Sequence, residues 1–369
     1  MIDFEQGVVN RGNWAAIQKC MDRAAAGEEI TVGFLGGSIT QGSLASDPEN
    51  CYACRVWRWW QKTFPSANIR YVNAGIGGTT SQFGVARVEE DLLKSRPDFV
   101  LTEFSVNDDN TPHFQETYEG LVRKILKSGT ALMLMNNVRY DTGASAEQVH
   151  IEVARHYGIP SVSMKPTIYA ALLRHEFSNR DITPDDLHPN DRGHGLVAQV
   201  ICSFLESVRI APRETLTECT LPQPLSPNRY EDSVRYQNHN ANPQCIGFLA
   251  DERPQTHITQ TFRRGYTARK IGDKITFSVA GSCIAVQYRK SVIQPAPIAR
   301  ITVDGIHERQ LDGNFQETWG DCLYLETVAE GLEPGNHAVT VEIIQATEAD
   351  AVPFYLVSVI GSGGKEKYV

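Results

Sequence analysis

The sequence predicts an α/β domain built on a doubly wound parallel sheet, followed by an antiparallel β-sandwich of jelly-roll type. Two observations predict it. In the first part of the chain, short apolar runs end in Gly- or Asn-rich loops and are followed by stretches with apolar residues at helical spacing. Past Pro212 the helical spacing stops, and strand-like runs separated by turn signals take over. Strands alternating with helices imply a parallel sheet covered on both faces, and strands without helices imply a sandwich or barrel. With 369 residues there is room for two domains. The expected boundaries are 1–211 for the α/β domain, 212–228 for a linker and 229–369 for the sandwich.

In order along the chain, Asn13–Ala26 reads as a helix with Trp14, Ile17 and Met21 on one face and Gly27 near its end. Thr31–Leu35 (TVGFL), Ile69–Asn73 (IRYVN) and Phe99–Phe104 (FVLTEF) read as buried strands, and Ala131–Met135 and Ser161–Met164 as further short ones. Helical spacing recurs over Tyr52–Phe64, Phe83–Lys94, Phe114–Lys127 and Ala146–Tyr157. Trp57, Trp59 and Trp60, spread around the first of these, read as core. Asp191–Val208 closes the domain as a long helix whose buried stripe is Leu196, Val197, Val200, Ile201 and Phe204. Pro212, Pro222, Pro224 and Pro227 punctuate a stretch without period, read as a linker packed along the surface. The sandwich strands are Lys274–Val279, Cys283–Tyr288, Ala299–Val303, His337–Ile344 and Phe354–Ile360. Asp304-Gly305, Asp312-Gly313 and Pro334-Gly335 supply turns between them. Gly361–Val369 reads as a small polar tail.

Hydrophobic residues make up 41% and charged residues 21%, a globular mixture. The net charge of −9 argues against a general role on nucleic acid or on anionic membranes. No apolar run reaches the roughly 18–20 residues of a membrane span. Met1–Gln6 lacks the basic stretch and apolar core of a signal peptide, so a cytoplasmic location is expected. Eight cysteines (Cys20, Cys51, Cys54, Cys202, Cys219, Cys245, Cys283 and Cys322) are then expected as reduced thiols. Cys51-Tyr52-Ala53-Cys54 has no second pair near it and opens a helical pattern, so it reads as buried thiols ahead of zinc or redox chemistry.

Four segments carry chemistry: Gly36-Gly37-Ser38-Ile39-Thr40, Asn73-Ala74-Gly75-Ile76-Gly77-Gly78, Ser105-Val106-Asn107-Asp108 and Asp185-Asp186-Leu187-His188-Pro189. The first three follow predicted strands. In open parallel sheets ligands bind outside the carboxyl ends of the strands, so these segments should converge. A serine hydroxyl needs an adjacent base to act as a nucleophile, and an imidazole suits that role near neutrality. Ser38 and His188 fit the two parts. Asp185, three residues before His188, can bend back to Nδ1 and hold the useful tautomer. Pro189 favours an extended or turn conformation at His188. An oxyanion hole would take the Ser38 N–H, the Gly78 N–H and the Asn107 side-chain amide as donors. Taken singly, each segment has a plainer reading. Ser38 could be a helix-capping serine, 73–78 a tight loop, and 107–110 a solvated turn or calcium loop, though without the spacing of an EF-hand. His194 reads as a packing or capping residue.

With those residues quoted, the chain resembles the SGNH (GDSL-type) esterase and acylhydrolase superfamily over roughly residues 28–210. The family's Ser, Gly, Asn and His correspond to Ser38, Gly78, Asn107 and His188, and its catalytic Asp to Asp185. Asn73–Ser81 and His188–His194 extend the match. Gly37 departs from the commonest form, in which Asp stands there. The resemblance implies a flavodoxin-like sheet and a serine esterase that needs no cofactor and no metal. Members with an added β-sandwich resemble two-domain bacterial hemicellulose O-acetylesterases. That implies acetylated mannan or xylan oligosaccharides as substrate, with no nucleic acid and no membrane as partner and a homodimer left open. The sandwich would then be a carbohydrate-binding-like accessory domain bordering the active site, from the same chain or a partner subunit. Trp319, in the polar loop Asn314–Asp321, is its candidate sugar contact, against the alternative of a Trp plugging the sandwich end. Two other readings stay open: a lysophospholipase or thioesterase on acyl chains, and a non-catalytic sugar-binding protein on a hydrolase fold.

Overall fold

The computed structural model describes residues 2–215 and 221–364. The chain divides into two compact units, Met1–Asn228 and Arg229–Val369.

The first unit is built on a six-stranded sheet. Its strands are β1 (Val8–Asn10), β2 (Ile30–Gly36), β3 (Ile69–Gly75), β4 (Phe99–Glu103), β5 (Ala131–Asn136) and β6 (Ser161–Ser163). Their spatial order is β1-β6-β5-β4-β2-β3. β2 to β6 are parallel, in the flavodoxin-like order. To this parallel sheet β1 adds an antiparallel edge by pairing with β6, which makes the whole sheet mixed. Three residues (VVN) are too few to show a period, which is why this edge strand left no signal. All residues of β2, β4 and β5 are buried, as expected of strands covered on both faces.

The helices form where the apolar spacing places them. Ala15–Ala25, Tyr52–Thr63 and Asp191–Ile210 enclose one core with β2, β4 and β5. Trp60 is fully buried there and meets both Phe64 and Phe99 in tilted contacts with ring centroids 5.5 Å apart. Truncating such a residue to Ala typically costs about 3–5 kcal/mol. Trp57 is partly buried and donates Nε1–H to Ile69 O at 2.8 Å. Cys51 caps Tyr52–Thr63, its Sγ accepting from Cys54 N. Seven cysteines are free among the described residues; Cys219 lies outside them. The proline-rich stretch lies along this unit: Arg123 Nη1 donates to Pro222 O at 2.9 Å, and Glu119 accepts from Leu225 N and Ser226 N.

The second unit is a sandwich of antiparallel sheets. One runs Cys322–Ala329, Cys283–Lys290, Phe354–Ser362, Tyr266–Ala268 and Leu249–Ala250, with Val234–Tyr236 also on Phe354–Ser362. The other runs His307–Asp312, Ile298–Val303, Gly335–Gln345, Lys274–Gly281 and Gln244–Ile246. Alternate residues of Lys274–Gly281 (Ile275, Phe277, Val279) and Ile298–Val303 (Ala299, Ile301, Val303) point into a shared core. His307–Asp312 was not anticipated, because an exposed edge strand of HERQLD carries no apolar alternation. The last strand runs to Ser362, two residues into the expected tail, and 365–369 lie outside the described residues.

Candidate active site

The sheet changes direction of growth between β2 and β4, and ligands bind outside the carboxyl ends at such a switch point. Gly37-Ser38 leaves β2 there, Ile76–Gly78 leaves β3, and Phe104–Asp108 leaves β4. Ser38 opens the short helix Ser38–Gln41 and is 8% exposed. Its Oγ lies 2.8 Å from His188 Nε2, and His188 Nδ1 lies 2.6 Å from Asp185 Oδ2. An ionised carboxylate only accepts, so Nδ1 carries the proton and Nε2 is free to accept from the Ser38 hydroxyl. The capping alternative for Ser38 does not hold: the N-cap is Gly37, and the hydroxyl is on the histidine.

The loop between helices Asn179–Ile182 and Asp191–Ile210 wraps around Asp185. Asp185 Oδ1 accepts from His188 N at 2.8 Å and Leu187 N at 3.1 Å. Partial burial pushes its carboxyl upward, but the bonds from His188 and from the His188 and Leu187 N–H groups outweigh that and hold it below the usual carboxylate range. Asn179 ties the loop to Tyr140 O at 2.9 Å and to Asp186 Oδ1 at 3.0 Å. Beyond Pro189, Asn190 Oδ1 caps the last helix through Arg192 N and Gly193 N.

Gly78 sits exposed at φ 68°, the left-handed region that glycine adopts without cost. A Cβ on its neighbour Gly77 would lie 3.6 Å from Ser38 Cβ, so this loop borders Ser38. Asn107 Oδ1 is buried without a hydrogen-bond partner. A Cβ on Gly37 would fall 2.3 Å from that oxygen and 3.6 Å from Nδ2. The amide oxygen therefore rests against Gly37, with the nitrogen on its far side.

Several residues that matter here had no assigned role from sequence. Asn73 donates from Nδ2 to Thr40 O at 2.8 Å and accepts Gly75 N at 2.9 Å, joining helix Ser38–Gln41 to the glycine loop. Gln41 Oε1 accepts Gly77 N at 2.7 Å. Asp108 is 4% exposed; its Oδ1 accepts Ser81 N at 2.9 Å and its Oδ2 meets His150 Nε2 at 3.1 Å. That side chain is a buried joint between helices Ser81–Asp91 and Glu147–His156 rather than a solvated turn. Among the described residues no group of three or more His, Cys, Asp or Glu is arranged to hold a metal ion. Glu103, the last residue of β4, is buried; its Oε1 accepts Ser105 N and Oγ at 2.9 Å each, and burial pushes its carboxyl up to about 7.

His194 takes no part in the relay. It is fully buried, Nδ1 accepts from Tyr52 N at 3.3 Å, and the ring stacks on Tyr52. Burial lowers its pKa to about 4, so it is neutral and structural. In the second unit Trp319 is 63% exposed and meets Phe315 edge-to-face at 5.0 Å, which excludes a Trp plugging the sandwich end.

Fold and site together define an α/β acylhydrolase. Residues 34–196 match the GDSL-like Lipase/Acylhydrolase family. The crystal structure of a two-domain esterase (CEX) active on acetylated mannans superposes with a TM-score of 0.96 at 56% identity, covering 99% of this chain and 100% of that one. A second structure, co-crystallized with mannopentaose, gives 0.95 at 55% identity, covering 99% of each chain. An arylesterase of Vibrio mimicus is 26% identical over 206 residues, 50% of this chain and 92% of that protein. Thioesterase 1/protease 1/lysophospholipase L1 of Escherichia coli K12 is 26% identical over 195 residues, 50% of this chain and 86% of that protein. The chain belongs to the GDSL-like lipase/acylhydrolase family.

Proposed function

We propose that this protein is a serine esterase that removes O-acetyl groups from mannan-type oligosaccharides. The observation that carries the reading is the unbroken relay Ser38–His188–Asp185 at the sheet's switch point. Identity of 56% over nearly the whole chain to an esterase active on acetylated mannans supports the substrate class.

Ser38 Oγ attacks the acetyl carbonyl carbon while His188 Nε2 takes its proton. The Ser38 N–H, the Gly78 N–H and Asn107 Nδ2 receive the developing oxyanion. The carbonyl re-forms, the sugar alkoxide leaves with the proton from His188, and the acetyl group stays on Ser38. Water, deprotonated by His188, repeats the attack and releases acetate. Every step balances with substrate and water alone.

The exposed Trp319 and its partner Phe315 form the platform we propose for a sugar ring. A homodimer and a cytoplasmic location belong to the same proposal; sedimentation and fractionation of the source cells test them. The decisive experiment is mass spectrometry of acetylated manno- and xylo-oligosaccharides after incubation, with acetyl and octanoyl nitrophenyl esters in parallel. Losses of 42 Da from the oligosaccharides (about one acetyl each) with a preference for the acetyl ester support the proposal. A preference for octanoyl with untouched oligosaccharides would make the protein a lysophospholipase- or thioesterase-type enzyme instead.

A further inference from the structure

Helix Ser81–Asp91 carries a charge where a core residue would be expected. Arg87 is fully buried, between Ala86 and Val88, which are buried as well. Its Nη1 donates to Ala74 O at 2.7 Å and to Asp91 Oδ2 at 3.0 Å, and its Nη2 donates to Gly36 O at 3.1 Å. The two carbonyls belong to neighbouring strands at their carboxyl ends, where Leu35 pairs with Ala74 and Gly36 with Gly75. Gly36 is the last residue of β2, two before Ser38. Ala74 stands in β3, four before Gly78. One rigid group therefore bridges the points from which the nucleophile and the glycine loop depart.

Filling this space does not require a charge. Burying an ion is costly, and an apolar side chain of like volume is often as stable or better. Arg87 even leaves its Nε buried without an acceptor. Burial pulls its pKa down, partly offset by Asp91, yet a guanidinium stays charged in a protein. What the guanidinium supplies that an apolar residue lacks is a planar fork whose two ends reach two acceptors at a fixed separation.

We propose that Arg87 is a positioning residue for hydrolysis: by holding Gly36 O and Ala74 O it fixes the spacing between Ser38 and the Gly78 loop. It touches no substrate. The proposal rests on the reading in which Ser38 attacks and Gly78 stabilises the oxyanion. Donors must sit where charge develops in the transition state, so a small drift of one loop weakens the transition state more than the bound ester. The loss should fall on kcat. Removing an oxyanion donor outright costs about 10²–10³ in turnover, so displacing one should cost about 10- to 100-fold.

Arg87→Lys and Arg87→Met test this with nitrophenyl acetate, rates being expressed per active site titrated with a fluorophosphonate, and folding followed by circular dichroism. The expected result is folded protein in both, kcat lowered about 10- to 100-fold, and KM changed less than about twofold. Lysine should recover thermal stability relative to methionine without recovering kcat, because one ammonium cannot span both carbonyls. Wild-type kcat in either variant, a change in KM alone, or a loss of rate matched by the loss of titratable sites would overturn the proposal. So would failure of both to fold, which would make Arg87 a requirement of the fold. Ser38→Ala run alongside separates the two claims: if it is inactive while Arg87→Lys is normal, only the positioning role falls, and if Ser38→Ala is active, the reading of the site falls.

Discussion

Replacing His194 by Gln should change how the first unit responds to pH, and Glu103→Gln should change it in the opposite sense. His194 is fully buried against Tyr52, and burial lowers its pKa from 6.5 to about 4. Between those values the unfolded chain binds a proton that the folded chain does not, so stability rises with pH there. The shift corresponds to about 3 kcal/mol at about 1.36 kcal/mol per unit. Glu103 runs the other way: burial raises its carboxyl from 4.5 to about 7, so the folded state holds the extra proton and stability falls as pH rises through that window. Its magnitude is again about 3 kcal/mol. In the wild type the two offset each other between pH 4.5 and 6.5. His194→Gln should leave the Glu103 slope exposed and lose about 3 kcal/mol on going from pH 4.5 to 7, relative to wild type. Glu103→Gln should gain a similar amount over the same interval. Urea unfolding followed by tryptophan fluorescence reads this directly, because Trp14, Trp57, Trp59 and Trp60 all lie in the first unit. Paired carboxylates elsewhere contribute equally to all three proteins and cancel in the comparison. Parallel pH profiles for the three would refute the reasoning.

Three further outcomes follow from the site. Asp185→Asn replaces the carboxylate 2.6 Å from His188 Nδ1 by a neutral amide whose NH2 favours the wrong imidazole tautomer, so kcat should fall by about 10⁴-fold with the fold intact; steady-state kinetics at pH 7 checks it. Asn107→Ala deletes the amide that rests on Gly37, and should lower kcat by about 10²–10³-fold with little change in KM for nitrophenyl acetate. Trp319→Ala should weaken turnover of acetylated oligosaccharides by about 1–3 kcal/mol in kcat/KM if stacking on a sugar resembles stacking on bases. Nitrophenyl acetate hydrolysis should change far less, and equal effects on both substrates would place Trp319 outside the sugar path.

Much of the fold was readable because burial on both faces leaves a plain mark. A run such as TVGFL ended by two glycines admits little but a central parallel strand. Ser38, His188 and Asp185 were readable because each closes such a run or sits at fixed spacing before a proline. Other features left no mark. β1 is too short for a period, and HERQLD lies on a sandwich edge where no face is selected for apolar residues. Arg87 and Asp108 look like surface charges in one dimension. Only the folded sheet shows that their partners are two strand carbonyls and the first N–H of helix Ser81–Asp91.

The central claim is that Ser38 is the nucleophile, and release of acetate from acetylated manno-oligosaccharides by purified Ser38→Ala tests it most directly. The hydroxyl caps no helix and the residue starts a loop-to-helix turn, so the variant should fold with an unchanged circular dichroism spectrum. The account predicts acetate release lowered by about 10⁶-fold, the scale seen when a serine hydrolase loses its nucleophile. A folded Ser38→Ala protein that releases acetate at a rate near wild type would contradict it.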